Sequence, residues 1–499
     1  MICLTLSSKT VTSANAHAYA LCVYEGFSVT KDISATVHAK FPILAQAVKQ
    51  KAFKGSAQTH CVVSALHNKK LIHIILVGMG KKRGLHCTLE SYRRALGKLI
   101  RTAECYKLTS IALQIPEASC FKESYDDVIQ HTATTLHMAD YRFDRFTKDK
   151  PSKIKRSITL CVGSYVTQVK KALSVGEVIG EAVNNARMLI DTPPSDLTPA
   201  VLAKHAESIA RQHNISCKVL SEEQIKKMGM GGLAAVSAGS EQDCKLIIME
   251  YKVSAKAPTV ALIGKGITFD SGGLSLKPAN AMETMKEDMS GAAAVISAMQ
   301  AIAQLQPKVN VVMVAPAAEN LPSGAAAKPG DIITFYNGKT AEVRNTDAEG
   351  RLILADALSY AVKHYEPDFM IDLATLTGAC QYALGPFFTG MFSKHDSAAR
   401  RVEVAAHSSG DRVWRFPMDD DYLPAIQTPV ADICNIGKPA YKAGATTAAF
   451  FLHAFVGTTP WVHLDIAGTA FDVPGMSYYR TGATGAGVRL LIDLVMNWK

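Results

Sequence analysis

Three short stretches of this sequence combine charge and glycine at the end of an apolar run, where an α/β protein gathers its ligands. The first reads Gly264-Lys265-Gly266-Ile267-Thr268-Phe269-Asp270-Ser271-Gly272-Gly273, with Lys277 just ahead of Pro278. Its glycines let the backbone pass close to a ligand. The plainer alternative is a tight loop with two surface lysines. A Walker loop is excluded, because GKG lacks the four-residue spacer and the GK[ST] ending. The second stretch, Met285-Lys286-Glu287-Asp288-Met289-Ser290-Gly291, leads into an alanine-rich segment. Asp288 at that mouth could be no more than a helix cap or first-turn charge. The third, Val343-Arg344-Asn345-Thr346-Asp347-Ala348-Glu349-Gly350-Arg351-Leu352, sets Asp347, Glu349 and Arg351 two apart. Extended backbone would point all three to one side. A helix cap explains both acids but not Arg351, because a positive first turn is unfavourable.

Converging, the carboxylates of Asp270, Asp288, Asp347 and Glu349 would repel strongly unless cations neutralised them. Carboxylates are hard oxygen ligands, suited to Mg²⁺, Mn²⁺ or Zn²⁺. No HExxH is present, and the 15 histidines show no ligand spacing. The only metal site these residues can build is carboxylate-rich and holds two ions, roughly 3.5–4 Å apart across a bridging water or hydroxide.

The elements that must position these clusters alternate. Leu71–Val77, Ser110–Ile115 and Ser157–Val162 read as short apolar strands of a first α/β domain. The basic segment Lys148–Arg156 reads as an exposed loop. A helix from about Val175 to Ile190 stops at Asp191-Thr192-Pro193-Pro194. Beyond it, Lys245–Tyr251, Thr259–Ile263, Val309–Val314, Phe369–Leu373 and Val462–Ile466 read as strands. Gly291–Leu305, Arg351–His364 and Val488–Trp498 read as helices. Fully apolar strands alternating with helices imply a largely parallel, helix-covered sheet. The expectation is an α/β chain of two domains, each a mixed to mostly parallel sheet covered by helices. Residues 1–172 form the first, 173–194 a linker helix and 195–499 the catalytic domain.

A chain of 499 residues is too long for one ordinary core. Hydrophobic residues make up 48% and charged residues 20%, a soluble globular balance. Aromatics at 7% are too sparse for a stacking platform for single-stranded nucleic acid. Eleven scattered cysteines without a CxxC pair argue against a disulfide framework and fit a reducing, cytoplasmic compartment. The opening MICLTLSSKT makes a poor signal peptide, and no run of about 18 apolar residues predicts a membrane span. The net charge of +10 is uneven. Residues 1–172 hold 26 Lys+Arg against 11 Asp+Glu, whereas the remainder is net acidic.

NTDAEGRL at 345–352, GKGITFDSGG at 264–273 and Lys277 together resemble the leucyl aminopeptidase family of cytosolic metallopeptidases, with a bacterial cast. The octapeptide is that family's signature, and the resemblance covers roughly residues 175–499. It implies that Lys265, Asp270, Asp288 and Glu349 bind one divalent ion, and Asp270, Asp347 and Glu349 the other. The ions would be Mn²⁺ or Zn²⁺, with Mg²⁺ or Co²⁺ as alternatives. Lys277 would stabilise the oxyanion, and Arg351 would hold a bicarbonate acting as general base. A metal-bridging hydroxide would attack the first peptide bond of a substrate held by its free α-amine. Met285, Thr375, Gly378 and Ala467 would line a pocket for a leucine-like side chain, and Ala470 stands where a larger apolar residue is expected. The resemblance further implies peptide substrates and a homohexamer built as a dimer of trimers.

Asp372 and Asp465 read as buried structural residues, with support of the site as the alternative, and His463 and Cys380 as packed core residues. Two other classes compete with the peptidase. The basic excess in residues 1–172 reads plainly as a solvated surface, and alternatively as a domain that meets something anionic, which would make the chain a DNA-binding regulatory or architectural protein, as some bacterial members of the family are, with or without peptidase activity. A two-metal phosphoesterase would need no free amine, and the lysine ligand and the arginine argue against it.

Overall fold

The computed structural model describes residues 2–67, 69–150 and 154–498. It divides into two compact units. The first runs to Asn184 and includes Gly475–Arg480. The second holds Asn185–Pro474 and the residues from Thr481 on.

The first unit is built on a six-stranded sheet of β1 (Ile2–Ser7), β2 (Ala18–Tyr24), β3 (His60–His67), β4 (Lys70–Gly80), β5 (Ser110–Gln114) and β6 (Arg156–Cys161). The order is β1-β6-β5-β2-β4-β3, parallel throughout except for the β3–β4 pair. Its long helices are α1 (Leu89–Cys105) and α2 (Tyr125–Asp140). A capping box between Ser124 and Asp127 starts α2. Of the basic segment Lys148–Arg156, residues 151–153 lie outside the described residues.

Helix α3 (Lys170–Asp191) begins five residues before the apolar spacing indicates and stops just ahead of the two prolines. The boundary between the units falls inside this helix, between Asn184 and Asn185.

The second unit contains a nine-stranded sheet: β7 (Ser216–Leu220), β8 (Lys245–Tyr251), β9 (Thr259–Gly264), β10 (Gly266–Asp270), β11 (Asn310–Asn320), and four strands defined below. Two short strands, β12 (Ile332–Thr334) and β13 (Thr340–Glu342), join a small separate sheet. Then come β14 (Phe369–Ala374), β15 (Thr389–Phe392), β16 (Val413–Arg415), β17 (Ile433–Cys434, in the small sheet) and β18 (Trp461–Asp465). The large sheet runs β16-β15-β18-β14-β9-β11-β8-β7, with β10 paired to β11. Its centre, β18-β14-β9-β11, is parallel, while β7, β8 and β15 bring in antiparallel pairs. Every residue of β14 and β18 is buried, as parallel strands covered on both faces require.

Helix α4 (Ser290–Leu305) is almost wholly buried, and its alanines allow close approach to the sheet. Helix α5 (Gly350–Tyr365) carries Lys363 and His364 in its last turn, where they complement the helix dipole. Helix α6 (Gly378–Leu384) is short and capped by Thr377, and α7 (Val488–Met496) closes the fold.

Candidate metal centre

The parallel centre of the second sheet delivers its carboxyl ends to one place. Lys265 follows β9, and its backbone N–H donates to Leu373 O at 3.0 Å, locking it beside β14. Its buried ammonium reaches Asp288 Oδ1 (2.7 Å), Glu349 Oε1 (2.8 Å) and the carbonyl oxygen of Thr375 (2.8 Å). Asp270 ends β10. Its Oδ1 accepts from Gly272 N–H (2.9 Å) and Asn320 Nδ2 (2.8 Å), and its Oδ2 lies 2.9 Å from Lys277 Nζ. Lys277 Nζ also contacts Asp347 Oδ1 at 2.6 Å. Asp288 sits in a 3-10 turn, Met285–Met289, ahead of α4. Its Oδ1 accepts a further bond from Thr375 Oγ1 (2.7 Å). Asp288 therefore faces the site and does not cap the helix.

The extended presentation expected of Asp347, Glu349 and Arg351 is not what the chain adopts. Asp347 lies in a turn, pinned by its N–H to Asn345 Oδ1 at 2.8 Å, and Glu349 has right-handed helical backbone at the start of α5. A turn passing into a helix aims both acids inward as well as a strand would. The Glu349 side chain does not cap α5 but is engaged by Lys265.

One ligand oxygen from each of Asp270, Asp347 and Glu349 lies within 4.8 Å of the others. Burial raises the carboxyls of Asp270, Asp288 and Asp347 above their ordinary range, most strongly for Asp288, and neighbouring carboxylates add to the shift. Burial works against the charge on both lysines too, but the surrounding acids outweigh it, and both ammoniums are held above their usual range. Four carboxylates thus share two ammonium ions in a largely dry setting, an arrangement with a standing deficit of positive charge. Asp288 Oδ2 has no hydrogen-bond partner among the described residues. A hard divalent cation satisfies both that deficit and that oxygen.

Arg351 donates Nη1 to Asn435 O at 2.8 Å, while its buried Nε has no partner among the described residues. Burial lowers its pKa to about 10 despite the acids nearby. A buried guanidinium with a free edge fits a small oxyanion.

All eleven residues named from the sequence line a single cavity of about 740 Å³: the seven charged ones together with Met285, Thr375, Gly378 and Ala467. Ala470 is fully buried and is not among its lining residues. Sequence reasoning missed Glu287, which lines the cavity and is pushed by burial up to about 7. It also missed Asn320, which steadies Asp270, and Thr377, since their partners are remote in sequence. Asp372 is the structural residue expected, accepting from Trp461 Nε1 and His463 Nδ1 at 2.7 Å each. Cys380 is buried, and burial pushes its thiol pKa up, as for a structural cysteine. Asp465, read as either a structural residue or a support of the site, is buried and bonds to the loops beside the cavity.

Comparison with known proteins gives a consistent result. The family model described as cytosol aminopeptidase family, catalytic domain, matches residues 184–492, and that family's N-terminal domain matches 21–150. A probable cytosol aminopeptidase of Chlorobaculum parvum is 40% identical over 99% of both chains. Another, of Chlorobaculum tepidum, is 42% identical over 89% of this chain and 90% of its own. Among solved structures, a mutant tomato leucine aminopeptidase superposes with a TM-score of 0.89 at 31% identity, covering 99% of this chain and 96% of that one. The bottromycin maturation enzyme BotP in complex with Mn gives 0.84 at 28% identity, covering 96% and 99%.

Proposed function

The chain belongs to the cytosol aminopeptidase family and is a metal-dependent aminopeptidase, and from that premise we propose that it removes leucine-like residues from peptide N-termini with two divalent ions and bicarbonate. The observation that carries the reading is the cluster of four carboxylates, three of them buried and Asp347 half-buried, sharing two ammonium groups.

Lys265, Asp270, Asp288 and Glu349 would hold one ion, and Asp270, Asp347 and Glu349 the other. Mn²⁺ or Zn²⁺ suits this donor set best, and the structural relative in complex with Mn supports manganese. Bound there, the ions supply Lewis acidity and an activated water. Lys265 would hold its ion as a neutral amine, since a divalent ion there would supply the compensation its ammonium now gives Asp288 and Glu349. Lys277 keeps its proton and offers it to negative charge developing on the scissile carbonyl oxygen. Arg351 orients bicarbonate through its open Nε edge, which places a base at the cavity wall. Met285, Thr375, Gly378 and Ala467 receive the N-terminal side chain, and their small or apolar character favours leucine-like residues. The family resemblance supports a cytoplasmic homohexamer. The excess of basic residues in 1–172 favours DNA binding as an additional activity.

The test is hydrolysis of leucine p-nitroanilide by the purified protein with Mn²⁺, Zn²⁺ or chelator, beside Asp347→Ala and the N-acetylated substrate. Metal should restore activity that chelation abolishes. The variant should lose at least about 10²-fold in kcat, and the acetylated substrate should resist cleavage. No turnover with any metal, or equal turnover of the acetylated substrate, would overturn the reading.

A further inference from the structure

We infer that Asp465 is a positioning residue that ties together the two strand ends forming the walls of the N-terminal side-chain pocket, and through them sets its selectivity. The inference rests on the aminopeptidase reading above. Asp465 is the last residue of β18 and lies in parallel register with Ala374, the last residue of β14. It is 1% exposed. Its Oδ1 accepts from the backbone N–H groups of Leu376 (3.2 Å), Thr377 (3.4 Å) and Ala467 (3.2 Å). Its Oδ2 accepts from Thr377 Oγ1 at 2.7 Å. That hydroxyl in turn accepts from Cys380 N–H at 3.1 Å and so starts α6.

Leu376 and Thr377 after β14 and Ala467 after β18, which all line the cavity, are therefore held side by side by one carboxylate. The chain of bonds continues inward. Thr375 Oγ1 donates to Asp288, and the Thr375 carbonyl oxygen accepts from Lys265. Strand pairing needs no acid at this point, and a buried carboxylate is expensive unless its bonds are made. Charge-assisted bonds to three amides and a hydroxyl fix a loop far more tightly than backbone pairing alone. Selectivity for one aliphatic side chain over a smaller one needs such a fixed wall, because a loose pocket closes around either.

The experiment measures kcat and KM on leucine and alanine p-nitroanilides for the full chain, with Mn²⁺ uptake by equilibrium dialysis. The variants are Asp465→Ala, Asp465→Asn, Thr377→Val and Thr377→Ser. Asp465→Ala and Thr377→Val should keep Mn²⁺ uptake within about twofold while the leucine-to-alanine ratio of kcat/KM falls about tenfold, mostly through KM for leucine. Thr377→Ser should retain the ratio, and Asp465→Asn, which keeps an acceptor for the amides, should retain most of it. A folded Asp465→Ala with the wild-type ratio, or with equal losses on both substrates, overturns the inference while leaving the enzyme reading intact. If Asp465→Ala does not fold, Asp465→Asn and Thr377→Val decide by the same ratio. A wild type inert on both substrates while it takes up Mn²⁺ overturns the aminopeptidase reading and this inference with it.

Discussion

Gly350 is the smallest member of the metal centre and one of its tightest constraints. A Cβ built there would lie 2.5 Å from Lys265 Cε and 2.7 Å from its Nζ. The end of a lysine can usually swing away, but this one is buried and bonded to three acceptors. Gly350→Ala should therefore displace the ammonium and weaken Mn²⁺ binding by about 10–100-fold, the usual cost of disturbing what orients a ligand. Equilibrium dialysis with Mn²⁺ checks this, and unchanged affinity would show that Lys265 relaxes freely. At this scale the sequence was legible wherever charge stood out against glycine and apolar surroundings, as with Lys265, Asp270 and the 347–351 run. Asp465 and Thr377 carry no such local contrast. They are 88 residues apart, and only the pairing of β14 with β18 brings them together.

Elements meet under the same constraint in the first unit. Helix α3 packs on α2 through Gly176 and Gly180. A Cβ at Gly180 would lie 2.6 Å from His137 Cβ, and one at Gly176 would lie 2.3 Å from Gln130 O. Replacing a helix-interior glycine by alanine gains about 1 kcal/mol in propensity. Overpacking against a side chain's own Cβ costs about 1–3 kcal/mol, so the clash wins. Gly180→Ala should lower stability by up to about 2 kcal/mol in urea unfolding, and a more stable variant would refute the close contact.

His137 itself gives α2 a pH response. Burial lowers its pKa to about 4, with Asp140 opposing, and its Nε2 has no partner among the described residues. The unfolded chain takes up a proton near pH 6.5 that the folded ring refuses. The stability in question is therefore present above pH 6.5 and is lost as pH falls toward 4, by about 3 kcal/mol. Urea unfolding at pH 7 and 4.5 should show the wild type losing more stability than His137→Gln, and parallel losses would remove His137 as the cause. Among the elements, β8 was legible to the residue because its apolar run ends where its pairing ends. Strand β11 runs six residues past Val314 because Pro316, Glu319 and Asn320 look like loop residues. There they pair or face the site, and the strand continues. Helical periodicity missed the first turn of α3, where Lys170 and Lys171 break the apolar pattern.

For the whole molecule, the most informative asymmetry is charge. The carboxylate cluster lies wholly in the second unit, while residues 1–172 carry 26 basic against 11 acidic side chains. Nothing in the peptidase chemistry calls for that excess. Some of it is spent internally: Glu104 engages Arg101 and Arg142, and Asp140 engages Arg156. Much of the rest is lysine on exposed positions, among them Lys51, Lys54, Lys69, Lys70, Lys81 and Lys82. Such a surface attracts polyanions by releasing their condensed counterions, so any binding must weaken in proportion to the number of phosphates neutralised. If the DNA-binding reading holds, duplex affinity should fall with a log–log salt slope of about −3 or steeper between 50 and 200 mM, which corresponds to three or more phosphate contacts. Replacing Lys81 and Lys82 together by glutamine should flatten the slope by about one to two if they contact phosphates. Chelation should leave it unchanged, because the metal centre belongs to the other unit. Fluorescence anisotropy with a labelled duplex over that salt range measures all three. Binding that is flat in salt would remove the electrostatic basis of the idea and leave the basic face as a solvated surface.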